Sequence, residues 1–224
     1  MKLVLLSGLD GTGVLFEPFL KYSDGKITTE IIELPPVESA TFKDLAMSLA
    51  ERLKDDELII LAESYSGRLA YELAKNKDLK INQIFFTAIF LSTPSLLSNY
   101  ASFFPISLVK SRFLPKSIVG KFLFGRYSSK HLLDLFYRAM DRVDFKILKS
   151  RLRQISLLEP PRNSIEIPCT YIGALSDNLV SRRVLDTFKQ CCNKLDIQEI
   201  EGTHFLLQTN PSECWDIVYG KIAL

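Results

Sequence analysis

Histidine is nearly absent from this chain. Two occur in 224 residues, His131 and His204, so any imidazole acid–base chemistry has only two places to reside. Cysteine is sparse as well: Cys169, Cys191, Cys192 and Cys214. The adjacent pair does not read as a disulfide framework, and no Cys/His spacing suits zinc. The four read as reduced, mostly buried thiols of a cytoplasmic protein, and no metal or cofactor is implied. Long apolar runs are lacking too. None approaches the roughly 18 residues of a membrane span. The apolar start at Lys2–Leu6 stops at a glycine-rich turn, which makes it a buried strand in preference to a signal peptide. Finally, acid is scarce in the middle of the chain. From Pro94 to Arg162 there are 13 basic and 4 acidic residues, a net of +9 in a chain whose total is +2.

What is present is a regular alternation. Lys2–Leu6, Glu30–Leu34, Leu58–Ala62, Gln83–Leu91, Pro168–Gly173 and Leu195–Ile200 are short apolar segments bounded by turn residues, and read as strands. Val14–Tyr22, Phe42–Lys54, Gly67–Lys75, Ser181–Asn193 and Pro211–Gly220 read as helices. Within Phe42–Lys54 the apolar residues recur at helical spacing after a Thr41…Asp44 start that resembles a capping box. Strands alternating with helices predict an α/β fold: a mostly parallel, doubly wound sheet of about six strands with right-handed crossovers. The alternation stops after Leu91. Residues 94–162 carry helical periodicity, as in Leu132, Leu133, Leu135, Phe136, Ala139, Met140 and Val143, and are punctuated by Pro94, Pro105, Pro115 and Pro160-Pro161. They are expected to form a helical cap inserted into a core made of residues 1–93 and 163–224. Of its aromatics, Phe103, Phe104, Phe113, Phe122, Phe124 and Phe136, most are expected in a core and some along an apolar tunnel.

Four short segments carry chemistry. In Leu58–Ala70 a buried strand runs into a helix through Ser64, the strand–elbow–helix context of a Gly-x-Ser-x-Gly nucleophile. Such an elbow needs small residues two before and two after the nucleophile. Ala62 and Ser66 meet that need for Ser64, whereas Arg68 would break it for Ser66. A structural serine at a helix start is the plainer alternative for this segment alone. A serine hydroxyl needs a base. His204 follows the last strand, while His131 sits in the helical middle on a solvated face. A third group must orient the imidazole, and Asp177 follows the strand ending at Gly173. Alone it would read as a turn aspartate, but Ser64, Asp177 and His204 fall in order at the carboxyl ends of three strands, the edge where open parallel sheets build sites. The loop Ser7–Gly13 lacks the Gly-Lys-Ser/Thr of a phosphate-binding loop. It suits an oxyanion hole, with backbone N–H groups from Leu9, or its neighbour, and Tyr65.

With these stations in hand, the chain resembles the α/β-hydrolase family over nearly its whole length. The resemblance rests on the loop Ser7–Gly13, the elbow Ala62–Gly67, the Gly173…Asp177 turn and Gly202-Thr203-His204-Phe205. It implies a parallel sheet with a cap inserted after the strand that follows the elbow. Three departures are visible: the family's first two strands are expected to be missing, Ser7 stands where many members have histidine, and Ala62 and Ser66 replace the elbow glycines.

The expected activity is hydrolysis of a carboxylic ester or thioester through an acyl-Ser64 intermediate. Alternatives are acyl transfer on the same triad and a non-catalytic binding protein on a hydrolase scaffold. A serine nucleophile argues against dehalogenase and epoxide hydrolase chemistry, which in this family use carboxylates. The basic cap, with Arg138, Arg142 and Lys146 as candidate contacts, would steer an anionic acyl donor such as an acyl-carrier protein or an acyl-CoA. An ordinary solvated basic surface, or contact with anionic lipid, are the competing readings. Nucleic acid is not an expected partner.

Overall fold

The computed structural model describes residues 1–38, 40–93 and 112–223. Six strands, β1 (Lys2–Leu6), β2 (Thr28–Ile32), β3 (Glu57–Glu63), β4 (Lys80–Thr87), β5 (Cys169–Ala174) and β6 (Leu195–Ile200), form one sheet. Its order is β2-β1-β3-β4-β5-β6 and every pairing is parallel. Parallel neighbours need a crossover, which here is mostly helix, and both faces of the sheet are therefore covered. On one face Val4, Leu6, Ile60, Ala62, Ile84 and Phe86 pack with α2 (Phe42–Leu53), α3 (Gly67–Ala74) and α7 (Val184–Cys191). On the other, Leu3, Leu5, Ile59, Leu61 and Phe85 meet α1 (Glu17–Ser23) and the pair α8 (Leu206–Thr209) and α9 (Pro211–Ile222). Neighbouring residues of one strand thus enter different cores, which is why the strands read as unbroken apolar runs.

Most sequence-predicted elements form within a few residues of their expected bounds. The box at Thr41 is real: Asp44 N–H donates to Thr41 Oγ1 at 3.2 Å and Thr41 N–H donates to Asp44 Oδ2 at 3.0 Å. The largest correction is at Gln83–Leu91. The strand begins earlier, at Lys80, and ends at Thr87. Ala88 then turns with φ +50°, and Ile89, Phe90 and Leu91 remain buried without strand pairing. An apolar run marks burial, and burial continues where the backbone has already left the ladder. The last expected helix gains a predecessor, α8, directly after His204-Phe205.

Between β4 and β5 lie α4 (Lys116–Phe124), α5 (Lys130–Asp141) and α6 (Phe145–Ser156). Leu123, Phe124, Leu132, Leu135, Phe136, Met140, Ile147 and Leu148 form a separate apolar cluster that also takes in Val14 and Leu15 from the loop after β1. Of the expected cap aromatics, Phe124 and Phe136 are core, Phe122 packs at the cluster's edge and Phe113 is exposed. Phe103, Phe104, Pro94 and Pro105 lie outside the described residues. The base of this segment is tied shut: Thr93 Oγ1 reaches the Ile155 and Leu158 carbonyls at 2.9 and 3.0 Å, and Arg68 Nη1 donates to the Leu91 and Glu159 carbonyls.

The elbow depends on close packing at one glycine. A Cβ on Gly67 would stand 2.0 Å from Ile89 Cγ2 and 2.8 Å from Ile89 Cδ1. Gly67→Ala is therefore expected to force Ile89 out of place, at a cost of about 1–3 kcal/mol. Thermal unfolding followed by circular dichroism measures this, and an unchanged melting temperature would refute the tight contact.

Candidate active site

Parallel register brings the site together. Leu6 is level with Ala62, Glu63 with Thr87, and Ala174 with Ile200. The loops that follow β1, β3, β5 and β6 therefore emerge side by side at the carboxyl edge.

β3 ends at Glu63 and the chain turns through Ser64-Tyr65-Ser66 into α3. Ser64 has φ +50°, a left-handed conformation that costs a non-glycine residue of order 1–3 kcal/mol and is retained only where the surroundings impose it. Ser66 is fully buried. Its hydroxyl lies 2.7 Å from the Leu6 carbonyl and 3.0 Å from the Glu63 carbonyl, and accepts from Glu63 N–H at 3.1 Å. Ser66 thus holds the elbow to β1, and Ser64 is the half-buried hydroxyl at its apex.

His204 Nε2 stands 2.8 Å from Ser64 Oγ and His204 Nδ1 stands 2.9 Å from Asp177 Oδ2. The other Asp177 oxygen, Oδ1, accepts from Leu179 N–H at 2.7 Å and Val180 N–H at 2.8 Å. With the Asp177 carboxylate accepting at Nδ1, the imidazole proton sits there and Nε2 is left to accept from Ser64. The imidazole is buried. Burial lowers its pKa, but the Asp177 charge, the Asp177 hydrogen bond and the Glu63 charge outweigh burial, and the net shift is upward from 6.5. The other acids near these segments are engaged elsewhere: Glu201 pairs with Arg126 at 2.8 Å and Asp196 with Lys221 at 3.0 Å. His131 is exposed on α5.

The loop after β1 is built from its own hydrogen bonds. Gly11 N–H closes a turn on the Gly8 carbonyl at 3.0 Å, and the Gly11 carbonyl accepts from Leu34 N–H at 2.8 Å. Asp10 Oδ2 accepts from the N–H and hydroxyl of Thr12. Ser7 is buried and donates to the Ile32 carbonyl at 2.8 Å, so it serves β-sheet packing. Leu9 sits at the junction of the main core and the helical cluster. Tyr65 lies in the first turn of the helical run, where backbone N–H groups have no intrahelical acceptor.

Several residues here escaped sequence reasoning. Glu63, next to Ser64, is fully enclosed. Burial and, to a smaller degree, the Asp10 charge raise its carboxyl, the Gln208 hydrogen bond and His204 pull it down, and the net is a rise to about 7. Gln208 Nε2 donates to Glu63 Oε1 at 2.8 Å and to the Leu15 carbonyl at 3.0 Å. The one available signal was position: Gln208 lies four residues after His204. Arg151 of α6 also reaches this edge, and nothing distinguished it among thirteen basic residues. Among the three expected cap contacts, Arg138 is paired with Glu17 at 2.6 Å. Arg142 and Lys146 are exposed and make no ion pair among the described residues.

No protein-family model matches this chain, and no curated protein matches its sequence. Solved structures do match. A lipase-esterase related protein from Clostridium acetobutylicum superposes with a TM-score of 0.78 at 14% identity, over 99% of this chain and 94% of that one. The enol-lactonase from Burkholderia xenovorans gives 0.74 at 14% identity, over 99% and 89%. RedJ, a thioesterase from the prodiginine pathway of Streptomyces coelicolor, gives 0.70 at 16%, over 100% and 85%. At such identities the likeness defines architecture. The chain has the α/β-hydrolase fold, with six parallel strands in one open sheet.

Proposed function

We propose that this protein is a serine hydrolase that cleaves a carboxylic ester or thioester through an acyl-Ser64 intermediate. The observation that carries this reading is the chain Asp177–His204–Ser64, joined at 2.9 and 2.8 Å, with the serine held at positive φ on the elbow. Ser64 Oγ attacks the carbonyl carbon while His204 Nε2 takes its proton. Asp177 keeps the imidazole in the required tautomer and stabilises the imidazolium that forms. The backbone N–H groups of Leu9 and Tyr65 receive the developing oxyanion. The imidazolium then protonates the departing alcohol or thiol. Water, activated by the same nitrogen, releases the acid and restores Ser64. An acyltransferase would run the first half identically and admit an alcohol or thiol in place of water. The likeness to a thioesterase, an enol-lactonase and an esterase-related protein is consistent with acyl chemistry on this scaffold.

Residues 112–162 would cap this edge. Part of the segment's positive charge is spent on core acids through Arg138–Glu17 and Arg126–Glu201. Steering of an anionic acyl donor would therefore fall to Arg142, Lys146 and their unpaired neighbours.

The direct test is labelling of the wild-type protein with a fluorophosphonate, the adduct mapped by mass spectrometry, beside a panel of p-nitrophenyl esters and acyl-CoA thioesters. An adduct on Ser64 with turnover of at least one class is the expected result. No adduct and no turnover would favour a binding protein on this scaffold. The pH profile provides a second check. The base must be neutral, and His204 is shifted upward from 6.5. Thus kcat/KM for a neutral ester should rise with pH through a midpoint above 6.5. Glu63→Gln removes a charge that raises the imidazole pKa, so the midpoint should move down. A midpoint that stays in place would show that Glu63 is not felt by the base.

A further inference from the structure

Helix α6 makes an unusual set of contacts with the elements proposed to bind the oxyanion. Arg151 is 6% exposed, and its guanidinium is spent on neutral backbone. Nη1 donates to the Leu9 carbonyl at 2.9 Å and the Asp10 carbonyl at 2.8 Å, and Nη2 to the Leu34 and Pro35 carbonyls, each at 3.3 Å. No ion pair to a carboxylate forms at this guanidinium among the described residues. The loop is shaped around it. Gly11 has φ +69°, and a Cβ there would fall 2.4 Å from Arg151 Nη1. One turn further along, Gln154 accepts from the Tyr65 hydroxyl, and its Nε2 donates to the Ala40 carbonyl at 2.7 Å. The Arg151 guanidinium also lies 5.9 Å from the centre of the Tyr65 ring.

Residues 151 and 154 are spaced i, i+3 and so share one helix face. That face holds Leu9 by its carbonyl and Tyr65 by its side chain. These are the two residues whose N–H groups are proposed to meet over Ser64. They come from loops after different strands, 56 positions apart in sequence, and a shared rigid element sets their separation.

We propose that Arg151 and Gln154 are positioning residues that set the spacing of the two halves of the oxyanion hole, so that this site is completed by the helical segment and not by the sheet alone. The inference rests on the acyl-serine reading of Ser64, Leu9 and Tyr65. Burying a guanidinium against four carbonyls is costly, and a surface lysine or an apolar residue would close the same gap between helix and loop at less expense. The bidentate, planar group instead locks two consecutive carbonyls of one loop, a geometry that lysine cannot reproduce.

The test separates positioning from folding. Arg151→Met, Arg151→Lys and Tyr65→Phe are compared with wild type for kcat, KM, melting temperature and affinity for phenylboronic acid. That probe forms a tetrahedral adduct when Ser64 Oγ bonds boron and its proton passes to His204. Misplacing an oxyanion donor acts on the transition state and its mimics, and a displacement near 1 Å costs on the order of 10²-fold. Arg151→Met should therefore lose about that factor in kcat and in boronate affinity, with KM within about threefold. Arg151→Lys should recover part of both. Tyr65→Phe, which deletes only the hydroxyl bonded to Gln154, should lose about tenfold. If Arg151→Met yields no folded protein, Tyr65→Phe decides: a selective kcat and boronate loss supports the proposal, and unchanged values overturn it. A folded Arg151→Met with a lower melting temperature but wild-type kcat also overturns it. If wild type itself gives no adduct at Ser64, the acyl-serine reading fails and takes this one with it.

Discussion

Ser64→Ala should abolish covalent labelling by a fluorophosphonate and lower kcat by about 10⁶-fold, the scale seen when a serine hydrolase loses its nucleophile. KM should change little, because the lost hydroxyl acts only once the substrate is bound. Ser66→Ala supplies the contrast. Ser66 Oγ is buried between the Leu6 carbonyl and the Glu63 backbone, so its removal leaves those groups short of a partner, at about 1–3 kcal/mol. This variant should melt earlier yet still label at Ser64. The two serines differ by two positions in one motif, and the pair of results distinguishes a reacting group from a structural one. Loss of labelling in Ser66→Ala with a normal melting temperature would reassign the nucleophile.

Asp177→Asn should retain the fold and lose most of the activity. The amide oxygen still accepts from the Leu179 and Val180 N–H groups, which hold Oδ1 at 2.7 and 2.8 Å. The NH₂ then faces His204 Nδ1 and favours the tautomer protonated at Nε2, the nitrogen 2.8 Å from Ser64 Oγ. A base carrying its proton on that side cannot accept another. The matching change in a Ser-His-Asp protease costs about 10⁴-fold in kcat, and a loss of that order is expected here. Steady-state kinetics and a melting curve measure the two effects together. Full activity would require a different carboxylate to orient His204. Glu201 and Asp196 are held by Arg126 and Lys221, so that outcome would argue against the serine mechanism as a whole.

Much of this was open to reading along the chain. Ser64, Asp177 and His204 were identifiable because chemistry restricts residue type. With two histidines present, and one in a solvated helix, His204 was nearly the only candidate for a base. The elbow was visible because steric crowding restricts the residues around it. The strand set was visible because parallel strands buried on both faces are apolar at every position. The bounds of β4 were not visible, since Ile89, Phe90 and Leu91 are as buried as the strand itself. Along the chain Arg138 was one charge among many, and its pairing with Glu17 was not visible there because Glu17 lies 121 positions away.

The sequence by itself determined the layered α/β architecture, the order of the strands' carboxyl-edge loops and the three side chains that converge there. Each follows from local periodicity or from a residue type that few positions supply. Only the tertiary structure decided what surrounds those three. Glu63 is buried at the end of β3 with Gln208 as its hydrogen-bond partner, and burial is what raises its carboxyl to about 7. Arg151 is distinguished from twelve other basic residues only by the carbonyls of Leu9, Asp10, Leu34 and Pro35, which lie over a hundred positions away. Backbone acceptors have no residue identity, so a contact made to them leaves no pattern in sequence. It exists only once the helical segment has packed onto the sheet.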